Sequence, residues 1–282
     1  MDRPIGVFDS GVGGLTVARQ IYRHLPNESV VYFGDTARIP YGSKSLSTLR
    51  RFAHDGASFL ISQDVKALVV ACNTIASVCL DELQQVLDIP VVGVVEPAAR
   101  AAVAASQSKR IGLIGTRATI ESDVYPRAIK KLDPEAKVFV AACPLFVPLI
   151  EEGWVDNEVT YQVITRYLSE MRQLSPDVLL LGCSHYPLMA PAIQRWMGEG
   201  VTLVESGEAT VAELARMLAD TGMLRSSPQP PTRRFFVSDL STNFKNVAAA
   251  YLDGRLGDVE EIEVEKIGTL ALLWGESPEP EL

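Results

Sequence analysis

Short, nearly uninterrupted apolar runs recur along the chain, each separated from the next by an amphipathic stretch several helical turns long. The runs are Ile5–Phe8, Val30–Phe33, Ala67–Ala71, Val91–Val95, Ile111–Ile114, Val138–Ala141, Val178–Leu181, Val201–Val204, Phe235–Val237 and Ile262–Ile267. Successive side chains of a strand point to opposite faces, so a run that is apolar at every position requires cover on both faces. Between the runs lie helical patterns such as Ser45–Ser62, Thr74–Leu87, Glu158–Gln173 and Glu208–Leu218. Strand–helix–strand alternation predicts an α/β class with parallel, doubly wound sheets and right-handed crossovers.

The pattern also repeats at long range. Ile5-Gly6-Val7-Phe8-Asp9-Ser10 resembles Ile111-Gly112-Leu113-Ile114-Gly115-Thr116, and Ala67-Leu68-Val69-Val70-Ala71-Cys72-Asn73-Thr74 resembles Val178-Leu179-Leu180-Leu181-Gly182-Cys183-Ser184-His185. Apolar runs match one another by chance, but a cysteine at the same place in both copies does not follow from that. Two copies of one α/β unit are therefore expected. A chain of 282 residues exceeds what one hydrophobic core usually organises, which agrees with two domains. Glu96-Pro97 marks the crossover into the second copy, and segments after about Ser206 return to complete the first. The expected domains are residues 1–96 plus 207–282, and residues 97–206. Arg225–Arg234, with three prolines, reads as a loop, and Glu276–Leu282 as a frayed, solvated tail.

Charge and composition narrow the function. A net charge of −9 argues against nucleic acid, which needs a basic stripe to displace counterions, and against a polybasic hold on a membrane. The first apolar run breaks at Asp9, too early for a signal peptide, and no run approaches a membrane span. A cytoplasmic protein is expected, in which four cysteines are thiols.

In open parallel sheets, ligands bind beyond the carboxyl ends of the strands. Asp9-Ser10-Gly11-Val12-Gly13-Gly14 follows the first run and offers a glycine turn suited to an anion. It is not a dinucleotide fingerprint, since Thr16 stands where that motif needs glycine. Cys72-Asn73-Thr74 and Cys183-Ser184-His185 place a thiol at a strand end, where a following helix favours thiolate. Asn73 or Thr74, and Ser184, read as helix N-caps. His185 stands two residues from its cysteine, within reach for proton exchange. Arg38–Lys44 is a Pro/Gly turn whose hydroxyls suit a small polar ligand. Glu151, in Glu151-Glu152-Gly153, reads by itself as a solvated helix end. No metal is expected, because there is no C-x-x-C pair and no His-x-x-x-His. Cys79, inside the helix begun at Thr74, and Cys143, before Pro144, read as packing residues.

Taken together, these segments closely resemble the glutamate racemases of the aspartate/glutamate racemase superfamily. The likeness lies in Gly6–Val17, Pro40–Ser43, Ala71–Thr74 and Gly182–Leu188, in the family's order, with Ser184 where the family usually has threonine. The resemblance implies two similar doubly wound domains facing each other across the active site. It implies cofactor-independent racemisation of glutamate, an isomerase activity supplying D-glutamate for peptidoglycan. Cys72 and Cys183 would be the two bases, with Asp9, His185 and Glu151 assisting. Asp9, Ser10, Tyr41, Gly42, Asn73, Thr74, Ser184 and His185 would bind the substrate. Glutamate is the expected small-molecule partner, with no cofactor, nucleic acid or membrane, and a homodimer is the expected assembly. Racemisation of aspartate or another amino acid is the neighbouring alternative. A nucleotide-binding module and a thiol redox sensor are alternatives of a different class.

Overall fold

A computed structural model of the protein describes residues 2–252, 258–264, 266 and 267. The apolar runs form β1 (Ile5–Asp9), β2 (Val30–Gly34), β3 (Ala67–Val70), β4 (Val91–Gly93), β5 (Arg110–Gly115), β6 (Lys137–Ala142), β7 (Val178–Gly182), β8 (Thr202–Glu205), β9 (Arg233–Val237) and β10 (Val259–Glu261). Every pairing among the described residues is parallel. One sheet has six strands in the order β10-β9-β2-β1-β3-β4; the other has four in the order β6-β5-β7-β8. The order β2-β1-β3-β4 repeats as β6-β5-β7-β8, so the internal echo is a repeat of topology as well as of sequence. β9 and β10 extend the first sheet after the chain has finished the second.

Burial follows the apolar runs. All residues of β1, β2, β3 and β7 are buried, as strands sandwiched between helices must be. β6 is an edge strand and stays half-exposed. The covering helices start where side chains cap them. Ser45 accepts from Thr48 N–H (3.3 Å) ahead of helix Leu46–Ser62, and Asn157 accepts from Thr160 N–H (3.0 Å) ahead of helix Glu158–Gln173. Gly56 lies against Phe8, where an added Cβ would stand 2.4 Å from the ring, so helix and sheet approach closely there. Glu96 and Pro97 lie in the first turn of helix Val95–Ala105, which connects β4 of the first sheet to β5 of the second. Among the described residues, no helix is long and apolar enough to cross a membrane.

Three local expectations fail for identifiable reasons. Thr74–Leu87 is two helices, Asn73–Val78 and Leu80–Val86, because Cys79 leaves helical geometry at φ −131°, ψ −1°. Cys79 is thus a junction residue, although it is buried as expected. The last strand among the described residues is Val259–Glu261 and not Ile262–Ile267: its partner β9 ends at Val237, whose carbonyl takes the last ladder bond from Ile262 N–H (2.8 Å). Arg233 and Arg234 belong to β9 and not to the preceding loop. The proposed frayed tail, Glu276–Leu282, lies outside the described residues.

The return of the chain to the first sheet is fixed by a buried ion pair. Lys66 Nζ stands 2.6 Å from Glu28 Oε2, with both side chains almost fully buried. Lys66 also donates to Met223 O (2.7 Å), and Arg225 N–H donates to Glu28 Oε1 (2.8 Å). The pair therefore holds the segment that follows helix Ser206–Asp220. Removing one member leaves an uncompensated buried charge, whereas replacing both by apolar groups does not. Lys66→Met is expected to lower unfolding stability by about 3–5 kcal/mol, and Glu28→Leu with Lys66→Met together by much less. Urea denaturation of the two single variants and the double variant checks this. Equal and additive losses would show that the pair is not coupled.

Candidate active site

The carboxyl ends of the central strands of both sheets open onto one cleft. Ser10 follows β1, Cys72 follows β3, Thr116 follows β5 and Cys183 follows β7, and all four line it. The cleft, with the open solvent at its mouth included, spans about 570 Å³ of empty space. Each sheet therefore supplies one hydroxyl and one thiol from equivalent strand ends.

The two halves meet with little room. A Cβ on Gly13 would stand 2.3 Å from Ser184 Oγ and 2.8 Å from His185 Nδ1, so only glycine fits where the first turn crosses to the second. Beside it, the fully buried Asp9 accepts from Gly11 N–H (2.9 Å) through Oδ2 and from Ser184 Oγ (3.0 Å) through Oδ1. Asp9 thus bonds to both copies and lies beneath the cleft rather than among its lining residues. Ser184 is no helix cap: its hydroxyl is committed to Asp9, and the short helical turn that follows begins at Tyr186. Tyr251 hydroxyl donates to His185 O (3.1 Å) and locks the backbone of this turn.

On the first-copy side, Cys72 itself occupies the N-cap position of helix Asn73–Val78 and makes no side-chain cap bond, so neither Asn73 nor Thr74 caps the helix. Asn73 accepts from the Tyr125 hydroxyl, while its Nδ2 is buried without a hydrogen-bond partner on the wall of the cleft. An orphaned buried donor of this kind suits an acceptor on a bound molecule. Thr74 Oγ1 lies 3.0 Å from Thr116 Oγ1, which lies 3.0 Å from Thr119 Oγ1. Tyr41 and Gly42 also line the cleft. The Tyr41 hydroxyl donates to the buried Asp35, which also accepts from Arg38 Nε (2.5 Å) and Ser238 Oγ (2.8 Å). Arg38 in turn bonds Asp55 (2.6 Å). These bonds hold the turn over the cleft, with Gly42 pressed against Thr116.

The surroundings of the two thiols differ. A helix start was expected to favour thiolate at Cys72, but its pKa is pushed up to about 12. Burial is the main cause and the Asp9 charge adds to it; hydrogen bonding with Ile75 N–H and with the Ser10 hydroxyl acts the other way but is outweighed. The thiol lies 3.6 Å from Ser10 Oγ. Cys183 has a different neighbour, the buried His185. Burial by itself lowers the imidazole pKa, yet interactions with Cys183 and Glu151 overcome it and raise it to about 10. Glu151 Oε1 stands 3.1 Å from His185 Nε2. Glu151 is therefore partly shielded and paired, and not a freely solvated helix end. It borders a neighbouring cavity and meets the cleft lining at His185.

All the proposed site residues thus fall in one place, with Asp9 and Glu151 behind the lining. Sequence reasoning missed Thr116 and Arg117, which line the cleft together with Ile39, Pro144 and Val147. The signal for Thr116 was present, since the echo aligns it with Ser10. Cys79 and Cys143 are buried and free, as are Cys72 and Cys183.

Residues 5–214 match the family described as Asp/Glu/Hydantoin racemase. A glutamate racemase of Geobacter metallireducens is 50% identical over 93% of this chain and 97% of its own length. A glutamate racemase isoform from Bacillus anthracis superposes with a TM-score of 0.88 at 41% identity, covering 93% of this chain and 97% of that one. A glutamate racemase from Francisella tularensis, solved in complex with D-glutamate, gives 0.87 at 37% identity over 94% and 99%.

The His185 pairing has a measurable consequence. A folded-state pKa of about 10, above the ordinary 6.5, means that the folded protein binds this proton more tightly than the unfolded chain. Its stabilising contribution is full below the unfolded pKa and is lost as pH rises through the folded one. Nitrogen-15 NMR of the ligand-free protein is expected to show His185 as imidazolium at pH values of about 8. Glu151→Gln is expected to lower its titration midpoint. A neutral imidazole at that pH would overturn the ion-pair description.

Proposed function

This chain belongs to the Asp/Glu/Hydantoin racemase family, and we propose that within it the protein interconverts L- and D-glutamate by two-base proton transfer, without a cofactor. The observation that carries the reading is the pair of cysteines at equivalent strand ends of two repeated sheets, on one cleft. Racemisation removes the α-proton from one face of a carbon and delivers a proton to the other. Two acid/base groups approaching from opposite sides meet that requirement.

In the resting site Cys72 is a thiol, and the Cys183 sulfur faces the His185 imidazolium. For one enantiomer, Cys183 takes the α-proton and Cys72 gives its own proton to the opposite face; for the other enantiomer the roles exchange. Each turnover conserves protons and leaves the protonation of the pair inverted, so the reverse reaction or exchange with water restores it. The Asn73 amide and the hydroxyls of Ser10, Thr74 and Thr116 supply fixed dipoles for the substrate's carboxylates. Such dipoles must stabilise the α-carbanion in a dry site, where they act more strongly than in water. Asp9 and Ser184 keep the two halves in register, and Glu151 holds His185. Gly42, under the Tyr41 turn, closes one side of the cleft.

The same reading divides the chain into residues 1–96 with 207–282, and 97–206, with β9 and β10 completing the first unit. It assigns the product to peptidoglycan synthesis in a reducing cytoplasm, where both thiols stay free.

Purified protein in deuterium oxide is expected to racemise either enantiomer of glutamate with no added cofactor, incorporating deuterium at the α-position. Cys72→Ala and Cys183→Ala are each expected to lose turnover by more than about 10³-fold. Circular dichroism and proton NMR read the two effects. A requirement for pyridoxal phosphate, near-normal turnover in either variant, or faster turnover of aspartate than of glutamate would sink the proposal.

A further inference from the structure

Arg117 occupies a position for which the first copy has no counterpart. The echo that aligns Thr116 with Ser10 aligns Arg117 with Gly11. Both hydroxyl residues line the cleft, so the two copies contribute alike there, but the guanidinium is added by the second copy alone. Arg117 is exposed, begins helix Arg117–Glu121 and lines the cleft. It is close enough to Tyr167 to act on that phenol electrostatically.

Two further observations distinguish it from an ordinary surface arginine. No other lysine or arginine lines the cleft among the described residues, and its remaining cation, His185, is already paired with Glu151. Arg117 itself forms no salt bridge among the described residues. It is thus an uncompensated positive charge at the mouth of a cleft in a protein of net charge −9. A substrate with two carboxylates and one ammonium arrives with a net negative charge, against the field of the whole protein.

We propose that Arg117 is a specificity-determining residue that draws a dicarboxylate into the cleft and holds its outer carboxylate; this rests on the glutamate reading of the same site. Its charge interacts equally with the bound substrate and the transition state, because the outer carboxylate does not change during proton transfer. Uniform binding of that kind changes KM and leaves kcat alone. The guanidinium is exposed, so the effect is modest and sensitive to salt.

Arg117→Gln and Arg117→Lys test this beside the unaltered protein. Arg117→Gln is expected to raise KM for glutamate by about three- to tenfold with kcat within about twofold, and Arg117→Lys to recover most of the loss. Raising ionic strength to about 0.5 M should weaken the unaltered protein towards Arg117→Gln and barely affect the variant. Calorimetric titration with glutarate, a dicarboxylate without an α-amino group, reads the same charge without turnover. A threefold or greater loss of glutarate affinity in Arg117→Gln supports the assignment even if no racemisation is seen, a result that would overturn the proposed reaction but not this site. Equal affinity in the two proteins, no glutarate binding to either, or a fall in kcat with KM unchanged overturns it.

Discussion

The Asp9 carboxylate, at the end of β1, accepts one hydrogen bond from its own turn and one from Ser184 at the end of β7, and has no exposure to water. The geometry of the cleft depends on this contact. A buried carboxylate left with an empty acceptor site costs more than a typical hydrogen bond contributes, so the two halves cannot drift apart cheaply. The neighbouring Gly13 permits the approach because any side chain there would overlap Ser184. Register between the copies, and with it the facing of Cys72 and Cys183, follows from one carboxylate and one missing Cβ.

The same carboxylate contributes to the chemistry of the thiols. It lies near Cys72 and, after burial, is the main reason that thiol holds its proton so firmly. Cys183 is instead paired with an imidazole whose proton is secured by Glu151 behind it. Repeated folding thus supplies two thiols in equivalent places, and unequal surroundings distinguish them. Arg117 breaks the symmetry a second time, in the charge that lines the cleft.

Much of this was legible in the chain. The all-apolar runs required strands covered on both faces, and covered strands separated by helices leave a parallel sheet as the natural outcome. The echo located the repeat, and its cysteines pointed to the cleft. The failures share a cause. Ser184 has the residue type of a cap, yet its partner is Asp9, 175 positions away. Glu151 looked solvated because its partner, His185, is 34 positions distant. Arg117 carried no local motif at all, since its significance comes from what shares the cleft with it.

Periodicity, turn residues and the position of cysteines relative to strand ends are properties of neighbouring residues, and those the sequence determined: the class, the repeat, and which strand ends meet at the cleft. Proton affinity and charge balance are sums over everything within several ångströms, whatever its distance along the chain. Helix-start logic therefore predicted the wrong direction for Cys72, because a local dipole is smaller than complete burial beside Asp9. Only the tertiary structure decided that burial beside Asp9 holds the proton on Cys72, which histidine nitrogen meets a carboxylate, and which arginine among the described residues lines the cleft.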